Sequence, residues 1–328
     1  MKSKFVLSLS LLAVALSSCG TNVHHDISEY IMSTDYHDNY RILQLTDTHI
    51  GDKENQDLHY KFMDLTIKDA NADFIVITGD LFTFASKDTA KRFFAFLDSY
   101  KTPWSVVFGN HDEQCMFSVD WVTEYLNTKT EYGMFIDLQD DDAHGNSNFA
   151  VNLKKDNKVF EQLIFMDSNR YYYGDYIGYD YFKPDQISWY ERLVDHTTEE
   201  NGGVVVPSLM FYHIPLPEID AAWDGSQNGD PAAIWEYGEK REKTCPPDYN
   251  SGFFDVIRDK GSTKAMFFGH DHVNNFRVTY QGVTFCYGIK STNTVYSDED
   301  MLGGQVIIIK NDHSLAYEHI YHTYKEVR

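Results

Sequence analysis

The chain has 328 residues, 42% apolar and 15% aromatic, which is enough to bury a large core and excludes a mainly disordered chain. Its 50 acidic side chains against 28 basic ones give a formal charge of −22, so nucleic acid is not expected as a partner. None of the four cysteines forms a C-x-x-C pair, which excludes a thiolate zinc knuckle of that spacing and a dithiol redox centre.

In chain order, Lys2 and Lys4 precede an apolar run over residues 5–16, and Ser17, Ser18 and Cys19 come after it. This is the pattern of a targeting segment, and the run is shorter than the roughly 20 residues that span a bilayer. The string Leu16, Ser17, Ser18, Cys19 resembles a bacterial lipoprotein processing box. The resemblance implies a signal peptide over 1–18, a lipid on Cys19 that contacts the membrane, and an exported protein of the cell envelope, in the periplasm or at the cell surface. Residues 19–39 are polar without a sustained apolar period and read as a tether, with His24 and His25 solvated in it. Residues 40–328 show no repeat or break in composition and read as one domain. Cys115, Cys245 and Cys286 form either one disulfide with a free thiol or three unpaired thiols.

The body alternates short apolar runs with amphipathic helical stretches, the pattern of an α/β fold. Apolar runs are expected as strands at residues 42–45, 74–77, 105–108, 209–212 and 265–268. Helices are expected where Leu58, Phe62 and Leu65 share one face, where Ala90, Phe93, Phe94 and Leu97 share another, and after Pro184, with Ile187, Tyr190, Leu193 and Val194 inward. Strands joined by helices tend to run parallel, and their carboxyl ends then gather on one edge.

The residues just past each run carry the chemistry. The first run leads into Asp47 and His49, the second into Gly79 and Asp80, and the third into Gly109, Asn110, His111 and Asp112. The fourth stops at His213, and the fifth at Gly269, His270, Asp271 and His272. In an extended segment residues i and i+2 point the same way, so His270 and His272 would face one cation beyond the sheet edge. Any one motif alone has an ordinary explanation, since an aspartate caps helices and makes turns. Five strand ends delivering Asp, His and Asn together do not.

In these motifs the chain resembles the calcineurin-like metallophosphoesterases, from Asp47 to His272. The resemblance implies a four-layer α/β/β/α sandwich. It places Asp47, His49, Asp80 and His272 on one metal ion and Asp80, Asn110, His213 and His270 on another, with Asp80 bridging. The flanks of Asp80, Asn110 and His213 resemble the purple-acid-phosphatase-like branch. That branch's tyrosine ligand is replaced here by Thr83, and His49 is present where true purple acid phosphatases lack a histidine, so a purple iron-tyrosinate centre is not expected.

The implied function is hydrolysis of phosphomonoesters or phosphodiesters in small phosphorylated substrates, by a hydroxide held between two ions. Two such ions, about 3.5–4 Å apart, activate water and relieve phosphoryl charge. The mixed nitrogen and oxygen ligand set suits Mn, Fe or Zn. His111 is expected to assist the leaving oxygen, with Asp112 orienting its ring. One alternative is a pyrophosphatase acting on nucleotides or nucleotide-sugars at the same centre. Another is a non-catalytic, metal-dependent surface binding protein. Arg170 is read equally as a phosphate contact or an ion pair, and Tyr171, Tyr172 and Tyr173 as a stacking platform or a packed loop.

Overall fold

The computed structural model describes residues 25–53, 55–138 and 143–328. The expected signal peptide and Cys19 lie outside the described residues. Among the described residues no helix is long and apolar enough to cross a membrane.

In chain order the strands begin with β1 (Ile31–Asp35), β2 (Tyr40–Leu45), β3 (Phe74–Thr78), β4 (Trp104–Val107) and β5 (Phe149–Lys155). They continue with β6 (Lys158–Phe165), β7 (Tyr171–Tyr173), β8 (Ile177–Tyr179), β9 (Ser208–Phe211) and β10 (Ala233–Tyr237). The last are β11 (Thr263–Phe268), β12 (Arg277–Tyr280), β13 (Val283–Tyr287), β14 (Gly303–Ile309) and β15 (Leu315–Tyr321). The helices are α1 (Gln56–Ala70), α2 (Lys87–Asp98), α3 (Val119–Lys129), α4 (Pro184–Glu200), α5 (Glu218–Asn228) and α6 (Phe253–Lys260).

The strands form two large sheets. The smaller has the order β15-β14-β2-β3-β4, with β2, β3 and β4 parallel. The larger has the order β1-β5-β6-β9-β11-β13-β12-β10, with β6, β9, β11 and β13 parallel. Alternation along the strands shows how the sheets stack. Leu209, Phe211 and Phe267 join the cluster that holds Ile75, Ile77 and Val106 of the smaller sheet. Their neighbours Met210, Met266 and Phe268 face the other way, against Trp189, Tyr190 and Leu193 of α4 and Phe253 and Ile257 of α6. On the outer side of the smaller sheet, α2 contributes Phe93, Phe94 and Leu97, and Phe94 stacks on Trp104. The central strands of both sheets are therefore buried on both faces, which explains why they read as continuous apolar runs. This is the mixed α/β architecture of the metallophosphoesterase type.

The tether reading is corrected for residues 26–39. Asp26 caps a short 3-10 turn, and β1 pairs with β5 as the edge strand of the larger sheet. Tyr30 and Tyr36 are buried, so this segment belongs to the domain. The polar residues of β1 hid it: an edge strand exposes alternate side chains and shows no helical period. Cys115, Cys245 and Cys286 are all unpaired.

The parallel strands of both sheets end at the same place. His213, just after β9, places Nδ1 2.8 Å from the carbonyl of Thr78 at the end of β3, and Gln44 donates to both Thr78 Oγ1 and the carbonyl of Phe268. These bonds lock the two strand edges together beneath the site.

Candidate metal centre

Asp47, His49, Asp80 and His272 come together, all buried, with one ligand atom from each lying within 4.8 Å of the others. His49 Nε2 stands 3.0 Å from His272 Nε2 and 3.5 Å from Asp80 Oδ2, and His272 Nε2 is 3.5 Å from Asp47 Oδ1. The rings are held from behind. His272 Nδ1 donates to the carbonyl of Tyr296 at 3.0 Å, so Nε2 keeps its lone pair. His49 Nδ1 meets Thr83 Oγ1 at 2.8 Å, and Thr83 thereby supports a histidine instead of supplying a ligand.

The second group adjoins through Asp80. His213 Nε2 lies 3.2 Å from Asp80 Oδ2, and the rings of His213 and His270 are 5.2 Å apart. Asn110 Nδ2 donates to the hydroxyl of Tyr171 at 2.9 Å, which turns Asn110 Oδ1 the other way. Asn110 Oδ1 and His270 Nε2 are buried without a hydrogen-bond partner, and His213 Nε2 faces only the Asp80 carboxylate. An unsatisfied buried polar atom costs about 1–3 kcal/mol. Two of them together are a sizeable part of a domain's net stability of about 5–15 kcal/mol. A cation that takes the Asn110 and His270 lone pairs, and replaces the proton shared between His213 and Asp80, removes that cost, so the donor set fits a metal site.

The backbone is bent to build this. Asp47, His49, Asp80 and His270 all have positive φ, at 52°, 42°, 49° and 80°. Such conformations cost of order 1–3 kcal/mol each in non-glycine residues and concentrate at functional sites. The turn at His270 also corrects one expectation: His270 and His272 do not share a face by strand alternation, because the strand has ended at Phe268. His272 joins the cluster with His49, while His270 sits with His213. Two glycines are required by close approach. A Cβ on Gly109 would collide with Asp80, and one on Gly269 with Thr46 and Asp47.

Electrostatics here arise from two carboxylates buried among imidazoles. Burial opposes ionisation of Asp80, but His213 and His49 overcome it and hold the carboxyl well below its usual range. Burial likewise opposes ionisation of Asp47, and His272 draws it down. In return, Asp80 outweighs the burial of His213 and lifts it to about 10. His270 is pushed down to about 3, first by burial and then by the charge of His213. The centre draws positive charge, the property a cation site needs.

His111 stands at the rim, half-buried, its ring 5.1 Å from that of His49. Its amide donates to Asp80 Oδ1 at 2.8 Å. Its ring Nδ1 is 2.8 Å from Gln114 Oε1, and this corrects the expected role of Asp112. Asp112 opens a 3-10 turn that carries its carboxylate away from the imidazole. It accepts from the amides of Phe82 at 3.0 Å and Gly109 at 2.8 Å, tying two motif loops together. Burial, then the charge of Asp80, pushes it up to about 8. Gln114, three residues on from His111 across that turn, was missed because glutamine has no distinctive chemistry in a motif. Lys290 was missed as well: buried, and lowered to about 8 chiefly by burial, it donates to the carbonyl of Asp47 at 2.7 Å.

Around the second group, Tyr171 and Tyr179 belong to the β7–β8 hairpin, and Tyr179 packs edge-on against His270 at 4.4 Å. Arg170 pairs with Glu113 at 2.8 Å. Asp271 faces away from the centre and accepts from Tyr287 and from the amide of Cys245.

The profile of the calcineurin-like phosphoesterases matches residues 40–274. The chain belongs to the calcineurin-like phosphoesterase family. Among its relatives is a protein of Arabidopsis thaliana named probable inactive purple acid phosphatase 29, 33% identical over 246 residues. That match covers 69% of this chain and 61% of the relative's length. A second from the same plant, probable inactive purple acid phosphatase 14, is 28% identical and covers 86% of this chain and 77% of its own. The phosphatase DCR2 of Saccharomyces cerevisiae is 26% identical, covering 76% of this chain and 47% of its own. A crystal structure of a dimetal phosphatase from Danio rerio superposes over 86% of this chain and 99% of that one, at a TM-score of 0.52 and 15% identity, a likeness of fold.

Proposed function

We propose that this phosphoesterase-family protein is a hydrolase of phosphomonoesters or phosphodiesters that works with two metal ions. The observation that carries the proposal is the pair of buried, unpartnered atoms on Asn110 and His270, with His213 turned onto Asp80 between them and a four-residue cluster that shares Asp80. One ion would be held by Asp47, His49, Asp80 and His272, and the other by Asp80, Asn110, His213 and His270. When bound, the pair lowers the pKa of water and neutralises phosphoryl oxygens. A carboxylate suits the shared position because it has two oxygens to offer.

The chain's own groups supply the rest. His111, with Nδ1–H held by Gln114, presents Nε2 to the rim. As the oxygen of water joins phosphorus and gives up one proton to solvent, the bond to the alcohol breaks and the departing alkoxide takes a proton from Nε2 of His111, which solvent then restores. Lys290 and Thr83 fix Asp47 and His49, and Asp112 fixes the spacing of the loops that carry Asp80 and Asn110.

The plant relatives are named as inactive, which keeps a binding role as the competing reading. A complete ligand set with His111 beside it favours hydrolysis over binding. Metal analysis and assays on nitrophenyl phosphate, its bis ester and a nucleotide-sugar test the proposal. The expected result is turnover of at least one ester with two ions bound. His111→Asn should then lower turnover roughly 10²–10⁴-fold and keep both ions. Full occupancy without turnover across the panel would overturn hydrolysis in favour of binding.

A further inference from the structure

Among the described residues, the non-glycine positions with positive φ outside the centre are polar, several of them asparagine or aspartate, except for Phe84 (φ 52°) and Val295 (φ 60°), which are 67% and 60% exposed. Folding gives no reason for either. Glycine or asparagine holds this backbone at less cost, a β-branched residue there is an outlier, and an exposed phenyl or isopropyl group gains nothing from burial.

Both residues stand one position from a group that touches an imidazole of the centre. Thr83, before Phe84, meets His49 Nδ1 at 2.8 Å. Tyr296, after Val295, stacks on His272 at 4.2 Å and accepts from its Nδ1. The amide of the exposed Met116 donates to the carbonyl of Ala85, the residue after Phe84, at 2.9 Å. Across the centre, the exposed Tyr173 and Ile177 pair at the far end of the β7–β8 hairpin, which leans on Asn110 and His270 through Tyr171 and Tyr179. Exposed apolar residues thus sit in the segments that flank a centre whose own atoms are polar.

Charge distinguishes among possible occupants. Arg170, the basic side chain adjoining Tyr171, is already engaged by Glu113 at 2.8 Å and Asn146 at 3.2 Å. A nucleoside diphosphate would bring extra negative charge to this rim, where the neighbouring guanidinium is paired. An apolar alcohol would cover exposed apolar surface.

We propose that Phe84, Met116, Tyr173, Ile177 and Val295 seat the organic part of the substrate, and that this part is a bulky apolar alcohol on a phosphomonoester. The inference rests on the hydrolase reading above and deepens it to a substrate class.

The test compares kcat/KM for 2-phenylethyl phosphate and ethyl phosphate on the metal-loaded full chain. The two leaving alcohols have similar basicity, so the ratio reads the seat and not the chemistry of departure. The expected ratio is about tenfold or more in favour of the phenyl ester. Phe84→Asn and Val295→Gly both suit a left-handed backbone, so each should keep or raise Tm while lowering that ratio roughly threefold. A ratio near one, with both esters hydrolysed, overturns the inference and leaves the hydrolase reading standing. So does an unchanged ratio in both variants, or faster turnover of adenosine monophosphate than of the phenyl ester. No turnover of any of the three with two ions bound overturns this inference and counts against the hydrolase reading beneath it.

Discussion

The two halves of the centre share Asp80 but are built in opposite ways. Around Asp47, His49 and His272 the inward nitrogens face one another and the carboxylates at 3.0–3.9 Å, so protein atoms already fill one another's needs. Around Asn110, His213 and His270, Asn110 Oδ1 and His270 Nε2 have no hydrogen-bond partner and His213 Nε2 meets only Asp80, at 3.2 Å, while the side chains are backed by Tyr171, by the carbonyl of Thr78 and by the edge of Tyr179. The first half keeps its shape through its own contacts; the second retains a desolvation cost that a cation would lift. The difference teaches that a ligand set can be preorganised in two ways, by mutual contact or by backing alone.

Replacing the residue common to both halves gives the largest effect. Asp80→Ala should remove both ions and lower turnover by at least about a thousandfold, read by elemental analysis and by kcat. Retention of a full pair of ions would show that the halves do not depend on a shared carboxylate. The comparison sharpens when each half is cut separately. His213→Ala should leave one ion of two, and His272→Ala should leave the other. Chelation should lower the Tm of the parent, since an ion at 1,000 times its Kd adds about 4 kcal/mol to the folded state. The same treatment should lower the Tm of His213→Ala by less, because its second half has lost its ion already. Identical shifts in the two proteins would break the distinction between the halves.

Much of this was legible in the sequence for a physical reason: five strands buried on both faces read as apolar runs, and the residue after each run stands at the site. Asp47, Asp80, Asn110, His213 and His272 could be found because strand ends are marked by the change from apolar to polar. Helix α2 could be found because Phe93, Phe94 and Leu97 repeat with its period. What could not be read depends on long-range contact. The two-sheet stacking places Thr78 against His213 across 135 residues, and no local pattern encodes that. The edge strand β1 looked like a tether because its pairing partner, β5, lies more than a hundred residues away. Asp112 was assigned to His111 from adjacency in the chain, but a 3-10 turn places residue i+3, Gln114, beside the ring. Lys290 supports Asp47 from 243 residues away and has no motif around it.

The smallest effect tests whether backing alone sets the second half. Tyr171→Phe removes only the hydroxyl that accepts from Asn110 Nδ2, keeping the ring that stacks on Tyr179 at 5.6 Å. Without that anchor the Asn110 amide is free to turn, and Oδ1 faces the ion for only part of the time. Second-site metal affinity should fall roughly tenfold, the lower end of what losing such an outer partner costs. At saturating metal, kcat should stay within a few-fold of the parent, because the hydroxyl takes no part in the reaction. A metal titration of activity separates the two readouts, and a loss of fold alone would lower kcat without moving the metal midpoint. An unchanged midpoint would mean that Asn110 is held by the backbone of its own loop, and the second half would then be as self-sufficient as the first.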